Sequence, residues 1–397
     1  TASLKRSVHR TVEDGAAQAA AHDRTPSTEP SWHPQQQAAW SVGLLTVAAV
    51  SLTGVMLWAS PSAVPDWRTV VDGPPPITPA NPDARLLTET WPRFRGTGGT
   101  GIYEPPAPRQ WNGETGEGIA WKTAIDLPGK NSPVVWKDRV FLCSADETRR
   151  AIYGFDAATG EQRFRTLIAP PEGEAFQPSS DTGYSPATMA VNADAAVAIF
   201  SDGQIAAVDL DGNLLWSMPL GPLEKNYGHA NSLLIHRGRV IVQLDAGYRD
   251  EGLSTLIAID VRTGEIVFDV SREVAESWTT PIVTDHAGRE QLITVAAPWV
   301  ISYAPASFRE LWRAGVVDGE TAPSPIRAGE FVLVTSPNDR IVALKTDGEG
   351  DVTDTAVAWT GDMGVPDITT PISNGELVWL LTTWGTLTCY DAATGEL

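Results

Sequence analysis

Residues 154–164 read GFDAATGEQRF, and the same arrangement returns at residues 258–268 as AIDVRTGEIVF. Each copy places an apolar strand before an aspartate-centred turn and an aromatic residue after it. The Asp can cap the turn amides through its carboxylate, the Thr can add a hydroxyl bond, and the Gly supplies the positive φ that leads into the next strand. The motif therefore predicts a structural turn between two strands, whose aromatic residue can pack against a neighbouring sheet, and it contains no catalytic candidate.

The turn is one part of a longer repeat. In each unit a Ser or Thr, followed by Pro or in one copy by Leu, opens an apolar run ahead of the turn. These opening residues are Ser132, Ser185, Ser232, Thr280, Ser324 and Thr370. The aromatic residues that follow the turns are Phe164, Trp216, Phe268, Trp312 and Trp359, with Trp121 ahead of the first unit. The units recur about every 48 residues, a period typical of propellers, solenoids and other repeat arrays.

Four short segments fill each unit. In the first unit they read SPVVW from Ser132, RVFLC from Arg139, AIYGF from Ala151 and EQRFRTL from Glu161. Short runs rich in β-branched and aromatic residues, separated by tight turns, predict a four-stranded antiparallel meander. One such sheet cannot bury both of its faces, so successive sheets must stack, and radial stacking gives a β-propeller. We predict an all-β propeller of four-stranded antiparallel blades in residues 91–397, with six repeats visible.

The first ninety residues predict a membrane anchor. Residues 1–37 are polar and mixed in charge, which is typical of a disordered tail. Residues 38–59 (AAWSVGLLTVAAVSLTGVMLWA) carry no charge, and as a helix they would extend about 33 Å, enough to cross a bilayer. Residues 60–90 are rich in proline and predict an extended linker. The expectation is a single-pass membrane protein with one transmembrane helix and with its propeller on the periplasmic, extracytoplasmic side.

Composition excludes several classes of function. The chain carries 49 acidic and 29 basic residues, a formal charge of −20, so it lacks the clustered Lys and Arg that nucleic-acid binding requires. Its two cysteines, Cys143 and Cys389, cannot build a disulfide framework or a four-thiolate metal site. The histidines beyond residue 37 are His229, His236 and His286, and they have no zinc-site spacing. We therefore predict no metal-binding, cofactor-binding or catalytic residues.

The repeat resembles that of the PQQ-like repeat β-propellers, whose units carry an A-x-D-x-x-T-G-x-x-x-W signature. The segments WPRFRG at residues 91–96 and YGHA at residues 227–230 are also similar to those of large bacterial envelope proteins of this family. The resemblance covers roughly residues 91–397. It implies seven or eight blades, so we expect the propeller to be incomplete at its C-terminal end.

The resemblance leaves more than one function open. The family includes quinoprotein dehydrogenases, yet most members, among them the lipoprotein propeller of the barrel-assembly machinery, resemble scaffolds that bind no quinone. Such dehydrogenases typically carry adjacent cysteines over the cofactor, whereas Cys143 and Cys389 are far apart in the sequence. We expect a membrane-tethered, non-catalytic binding or assembly platform with a protein or envelope component as its partner. The alternatives are a quinoprotein-like oxidoreductase with PQQ and Ca²⁺ on the axis, and a lyase or hydrolase that uses His229 and Asp367.

One end of the propeller is the candidate binding face. The loops that leave each aromatic strand and enter the next Ser/Thr-Pro strand all lie at this end, around the axis, and functional residues concentrate on such loops. The polar and aromatic residues that these loops carry are Lys130, Asn131, Asp181, Tyr184, His229, Asn231, Trp278, Glu320 and Asp367. The alternative is a solvent-filled channel mouth without a ligand.

Overall fold

The computed structural model describes residues 89–103, 107–172, 176–221 and 227–397. The predicted tail and transmembrane helix, and the predicted linker up to residue 88, lie outside these residues. In the described part, no helix is long and apolar enough to cross a membrane. The regular elements there are 25 strands and two short 3-10 turns.

The strands form six sheets, which we call blades 1 to 6, and in blades 1, 2, 3 and 6 neighbouring strands are also neighbours in the sequence. Blade 1 contains β1 (Thr90–Trp91), β2 (Val134–Trp136), β3 (Arg139–Ala145), β4 (Arg150–Asp156) and β5 (Gln162–Ile168). Blade 2 contains β6 (Ala190–Val191), β7 (Ala196–Ile199), β8 (Gln204–Val208) and β9 (Leu214–Pro219). Blade 3 contains β10 (Leu234–His236), β11 (Arg239–Leu244), β12 (Thr255–Asp260) and β13 (Ile266–Ser271). The predicted antiparallel meander is confirmed in all three.

The remaining blades repeat this plan with two variations. Blade 4 contains β14 (Ile282–His286), β15 (Arg289–Ala296), β16 (Trp299–Tyr303) and β17 (Glu310–Gly315). Blade 5 contains β18 (Ile326–Ala328), β19 (Phe331–Ser336), β20 (Arg340–Leu344) and β22 (Val357–Gly361), while β21 (Gly350–Asp351) pairs in parallel with β17 of blade 4. Blade 6 contains three strands, β23 (Ile372–Ser373), β24 (Leu377–Leu381) and β25 (Leu387–Asp391).

The aspartate turn has the predicted hydrogen bonds. Oδ1 of Asp156 accepts from the backbone amides of Ala158 and Thr159 and from the Thr159 hydroxyl, at 3.0, 2.9 and 3.1 Å. Gly160 completes the turn with a φ of +71°. The hydrogen bond from Arg163 contributes most to lowering the pKa of the Asp156 carboxyl to about 2, and the hydrogen bonds from the turn amides lower it further. The same bonds recur in the turns that begin at Asp260 and Asp391.

The aromatic residue of the repeat packs against the next blade, as predicted. The indole Nε1 of Trp216 donates to the carbonyl of Val261 at 2.9 Å, and that of Trp359 donates to Ala392 at 3.0 Å. In both cases the acceptor directly follows the turn aspartate of the next blade. The ring covers the turn glycine, and a Cβ on Gly264 would lie 2.8 Å from the indole of Trp216. Glycine is therefore required here for close approach as well as for positive φ.

Trp312 makes a different contact, and the turn of blade 5 has Lys345 at the position of the turn aspartate. Its Nε1 donates at 2.6 Å to Oε1 of Gln291 in its own blade, and the Gln291 amide donates at 2.8 Å to the carbonyl of Thr346 in blade 5. Gln291 therefore relays the link that other tryptophans make directly. The Trp312 side chain is fully buried in the core between blades 4 and 5, together with Val334 and Val342.

The Ser/Thr mark of the repeat builds a chain of hydrogen bonds from blade to blade. In each link the backbone amide of one blade donates to the hydroxyl of the next blade, at 2.9 to 3.3 Å. We call this chain the hydroxyl belt; it runs through Ser132, Thr188, Ser232, Thr280, Ser324 and Thr370. In blade 2 the belt residue is Thr188, so the Ser185 expected from the repeat is three residues too early. A small hydroxyl residue is needed here because it must accept from an adjacent blade at the axis.

Residues 89–103, which we call the axial segment, lie inside the blades. β1 of this segment pairs with β2, and the carbonyl of Pro92 accepts from Val191 of blade 2 at 2.8 Å. Arg93 donates at 2.6 Å to the carbonyl of Pro281 in blade 4, and Arg95 donates at 2.6 Å to that of Pro371 in blade 6. One short segment thus contacts blades 1, 2, 4 and 6, as expected when successive blades are arranged around it. This arrangement is that of a β-propeller.

Blade 6 lacks an outer strand among the described residues, and an additional segment around Trp121 lies beside blade 1. β25 has no outer partner strand among the described residues, and Leu377, Leu381 and Leu387 are exposed. Beside blade 1, Trp121 donates from Nε1 to the carbonyl of Ala157 at 2.9 Å, the bond that outer-strand tryptophans make elsewhere. Residues around Trp121 therefore occupy the place of an outer strand. Six blades are confirmed, and a seventh or eighth blade stays a prediction.

Candidate functional site

Antiparallel pairing places two sets of loops at the same end of every blade. The connections between blades lie at the same end as the loops between the second and third strands of each four-stranded meander. We call this the funnel end. The residues of the hydroxyl belt also lie at this end, just before each inner strand. The aspartate turns lie at the opposite end. The nine predicted binding-face residues all belong to the inter-blade connections and so lie at the funnel end, as their positions in the repeat require.

Four of the nine residues meet between blades 1 and 2. Asn131 donates from Nδ2 to the carbonyls of Cys143 and Ser185 at 2.8 and 2.9 Å, which holds the two blades together. The exposed Lys130 donates from Nζ to the carbonyl of Ser180 at 2.8 Å. Asp181 is exposed and Tyr184 half-buried, with the guanidinium carbon of Arg150 5.7 Å from the Tyr184 ring centre.

Three further residues lie among blades 2, 3 and 4. His229 is 1 % exposed and its backbone amide donates to the carbonyl of Ser201 at 3.0 Å. Asn231 is buried and donates from Nδ2 to the carbonyl of Thr279 at 2.9 Å. Trp278 is half-buried, and its ring lies edge-on to that of Tyr227 with 5.2 Å between centroids. The lyase or hydrolase alternative, which uses His229 and Asp367, stays untested.

The last two predicted residues lie on the connections that enter blades 5 and 6. Glu320 is exposed. The half-buried Asp367 accepts a hydrogen bond from the hydroxyl of Thr383. This bond contributes most to lowering the pKa of the Asp367 carboxyl. The nine residues therefore fall into separate groups around the funnel end, and the asparagines join blades. That this face binds a ligand stays a prediction.

Sequence reasoning missed two buried ion pairs at the funnel end. Arg150 and Asp202 join blades 1 and 2 at 2.5 Å, with each side chain 4 % exposed. Arg272 and Asp245 lie 2.5 Å apart and are both fully buried. Each pair joins residues that are distant in the sequence, so the sequence does not reveal the pairing. The one available signal is that Asp202 and Asp245 each follow an apolar strand.

The Asp245 pair is the centre of a polar network. Oδ2 of Asp245 accepts from the Ser277 hydroxyl and the Gln243 amide, both at 2.6 Å. Nη2 of Arg272 donates to the hydroxyl of Thr294 in blade 4 at 3.0 Å. A buried charge is tolerated only when it is paired and hydrogen-bonded, and this network satisfies both conditions. Its side chains bond to one another, so the network holds loops in place between blades 3 and 4.

The quinoprotein alternative places PQQ and Ca²⁺ on the axis, so the possible metal ligands and the axial side chains of the described residues bear on it. No three of their His, Cys, Asp or Glu side chains are grouped closely enough to hold a metal ion. Cys143 lies in β3 and Cys389 in β25, both are free thiols, and burial raises the pKa of Cys143 to about 12. At the axis, the 5 % exposed Arg93 is bonded to a carbonyl beside the belt, and burial lowers its pKa to about 10.

A known family matches the whole propeller and residues 45–90 ahead of it. The profile of the PQQ-like family described as outer membrane protein assembly factor BamB matches residues 45–296 and 296–397. The chain belongs to this family. The predicted PQQ-like repeat is thereby confirmed. Among curated proteins, no relative matches this sequence.

Solved structures of two kinds are similar to the chain. BamB from Moraxella catarrhalis is 14 % identical, with a TM-score of 0.47, covering 70 % of this chain and 76 % of its own. Quinohemoprotein alcohol dehydrogenase from Pseudomonas putida HK5 is 12 % identical, with a TM-score of 0.42, covering 79 % and 73 %. A europium-containing methanol dehydrogenase is 10 % identical, with a TM-score of 0.44, covering 79 % and 86 %.

Proposed function

We propose that this chain is a non-catalytic binding or assembly platform of the bacterial envelope. The observation that carries the proposal is that the side chains of Arg93 and Arg95 at the axis donate to the protein's own carbonyls, those of Pro281 and Pro371. The family's description as an outer membrane protein assembly factor supports a protein or envelope component as the partner. A surface that binds without chemistry needs well-positioned loops, and the bonds of Asn131 and Asn231 hold described parts of the funnel-end connections in place.

Absence of quinone chemistry is the first test of the proposal. The intact chain, kept in detergent, is incubated with PQQ and Ca²⁺ while quinone absorbance and dye-coupled alcohol oxidation are followed. We expect no saturable absorbance change and no oxidation, because the described residues include no group of three His, Cys, Asp or Glu side chains that could hold a metal ion. A quinoprotein methanol dehydrogenase serves as the positive control. Saturable binding accompanied by oxidation would establish the oxidoreductase alternative and end the platform proposal.

The proposed platform is held at the membrane by the predicted helix at residues 38–59, with the propeller on the periplasmic side. The 22 uncharged residues of this segment support the helix. The acidic excess of the chain supports a propeller that is held away from the lipid surface, because anionic lipid repels it. Deleting residues 38–59 should release the chain from sedimented membranes. Deleting the equally long residues 60–81 should not, and a chain without residues 38–59 that resists alkaline extraction would contradict the anchor.

A further inference from the structure

One funnel-end loop is elaborated beyond its counterparts. The loop between the second and third strands of blade 3 has ten residues, 245–254, whereas the same loop has two to five residues in the other five blades. We call it the Tyr248 loop. Blade 3 lies between blades 2 and 4, so both faces of its sheet are covered, and the loop projects from a complete part of the propeller.

The Tyr248 loop is rigid by its own hydrogen bonds. The amide of Tyr248 donates to Oε2 of Glu251 at 2.7 Å, and the amide of Glu251 donates back to the Tyr248 carbonyl at 3.1 Å. These bonds close a 3-10 turn over Arg249–Glu251, which Gly252 ends with a φ of +64°. Such reciprocal bonds fix the direction in which the loop backbone presents residue 248.

Its base is tied to the neighbouring connection, residues 272–281. The amide of Glu276 donates to the carbonyl of Gly247 at 2.9 Å, and the Ser254 hydroxyl donates to the carbonyl of Val274 at 3.0 Å. Beneath both loops lies the buried pair of Asp245 and Arg272. A loop that is already ordered loses little conformational entropy on binding, so more of its contact energy contributes to affinity.

The loop displays two apolar side chains to solvent. Tyr248 is 76 % exposed, the most of any described tyrosine, and Leu253 is 49 % exposed. Because the Tyr248 ring points to solvent, the folded chain does not gain the stabilisation that burying this large ring would provide. Tyrosine is enriched among the residues that dominate binding energy at interfaces, because it provides a large contact area with few rotatable bonds.

The surroundings of these two side chains are acidic. Asp250, Glu251 and Glu273 are exposed on the Tyr248 loop and the adjoining connection. The next connection, residues 316–325, is joined to this one by the bond from the Trp278 amide to the Thr321 carbonyl and adds the exposed Asp318 and Glu320. On these three fully described loops, Arg249 is the sole exposed base. A negative potential here attracts cationic partners and repels acidic ones.

We propose that the Tyr248 loop is the anchor of a docking surface for a cationic polypeptide. Tyr248 and Leu253 contact apolar residues of that polypeptide, and Asp250, Glu251 and Glu273 pair with its Lys and Arg side chains. A second copy of this chain is a poor occupant because its own charge is −20, and anionic lipid is repelled for the same reason. This inference rests on the proposed function and adds to it the face and the chemistry of the partner.

The test measures binding of three short, fluorescein-labelled synthetic peptides to the intact chain in detergent. The first alternates Lys with Val and Leu, the second replaces Val and Leu by Ser, and the third replaces Lys by Glu. We expect the first peptide to bind more tightly than the second, and the third not to bind. Replacing Tyr248 by alanine should weaken the first peptide by about tenfold or more while leaving the second unchanged.

Two further variants separate the apolar and the charged contributions. Tyr103→Ala removes an exposed tyrosine from the axial segment and should leave all affinities unchanged. Glu273→Gln should weaken both lysine peptides and reduce their dependence on salt. Because Tyr248 is exposed, its variant keeps the fold, which unchanged circular dichroism will verify. The inference is overturned if Tyr248→Ala binds like the parent chain, if the Glu peptide binds equally well, or if Tyr248 instead mediates self-association, and none of these results would restore quinone chemistry.

Discussion

Replacing Asp245 by alanine is expected to destabilise the propeller by about 3–5 kcal/mol, because it leaves the guanidinium of Arg272 buried without its counter-ion. Both side chains are fully buried, 2.5 Å apart. The same substitution removes the acceptor of the Ser277 hydroxyl and the Gln243 amide. Desolvation of an unpaired charge costs more than the loss of one neutral hydrogen bond, so the charge accounts for most of the effect.

The measurement is urea unfolding of the intact chain in detergent, followed by circular dichroism. The double variant Asp245→Leu with Arg272→Met should be more stable than Asp245→Ala, since it removes both charges together. Arg340→Ala is the matched control: its partner Asp318 is 3.5 Å away and the two side chains are 38 % and 79 % exposed. That control should cost less than about 1 kcal/mol. Equal losses for Asp245→Ala and Arg340→Ala would show that the buried pair is not desolvated.

Replacing Trp312 by alanine is expected to cost about 3–5 kcal/mol, the range for deleting a large aromatic side chain from a core. The ring lies in the core between blades 4 and 5, and its neighbours Val334 and Val342 are on the paired strands β19 and β20. The substitution also breaks the relay through Gln291, which connects the two blades at 2.6 and 2.8 Å. A cavity at a blade interface weakens the contact between two sheets.

Two variants divide the Trp312 effect into its parts. Trp312→Phe keeps most of the ring but loses the N–H donor, and it should cost about 1 kcal/mol for the bond plus a smaller packing loss. Trp111→Ala removes an indole that is 65 % exposed and should change the free energy of unfolding by no more than about 0.5 kcal/mol. If Trp312→Ala resembled Trp111→Ala in its urea midpoint, the interface between blades 4 and 5 would not depend on this ring.

Local chemistry explains why so much of the fold could be predicted. The Asp156 turn, its glycine and the following aromatic strand involve residues that are close in the sequence, so their spacing carries the information directly. The predicted contact between an aromatic residue and the next blade is confirmed for Trp216 and Trp359. The Ser-Pro dipeptide at Ser185 does not by itself mark the belt position. The belt requires a hydroxyl at the axial position, which Thr188 supplies.

The candidate site was less predictable because its contacts join distant parts of the chain. Repeat position alone placed Asn131 and Asn231 at the funnel end, but nothing in the sequence reveals that their amides donate to carbonyls of the next blade. The pairing of Asp245 with Arg272 likewise depends on how two loops fold back on one another. The Tyr248 loop could have been noticed from its length, since ten residues interrupt a regular repeat.

The axial segment imposes an order on biosynthesis. Arg93 and Arg95 leave the ribosome early, yet their acceptors Pro281 and Pro371 are translated only much later. Until then both guanidinium groups must remain hydrated. The axial segment is translated before the blades, yet it can complete its hydrogen bonds only after blades 4 and 6 have been translated. Its contacts with blades 1 and 2 therefore form part of a structure that is completed late.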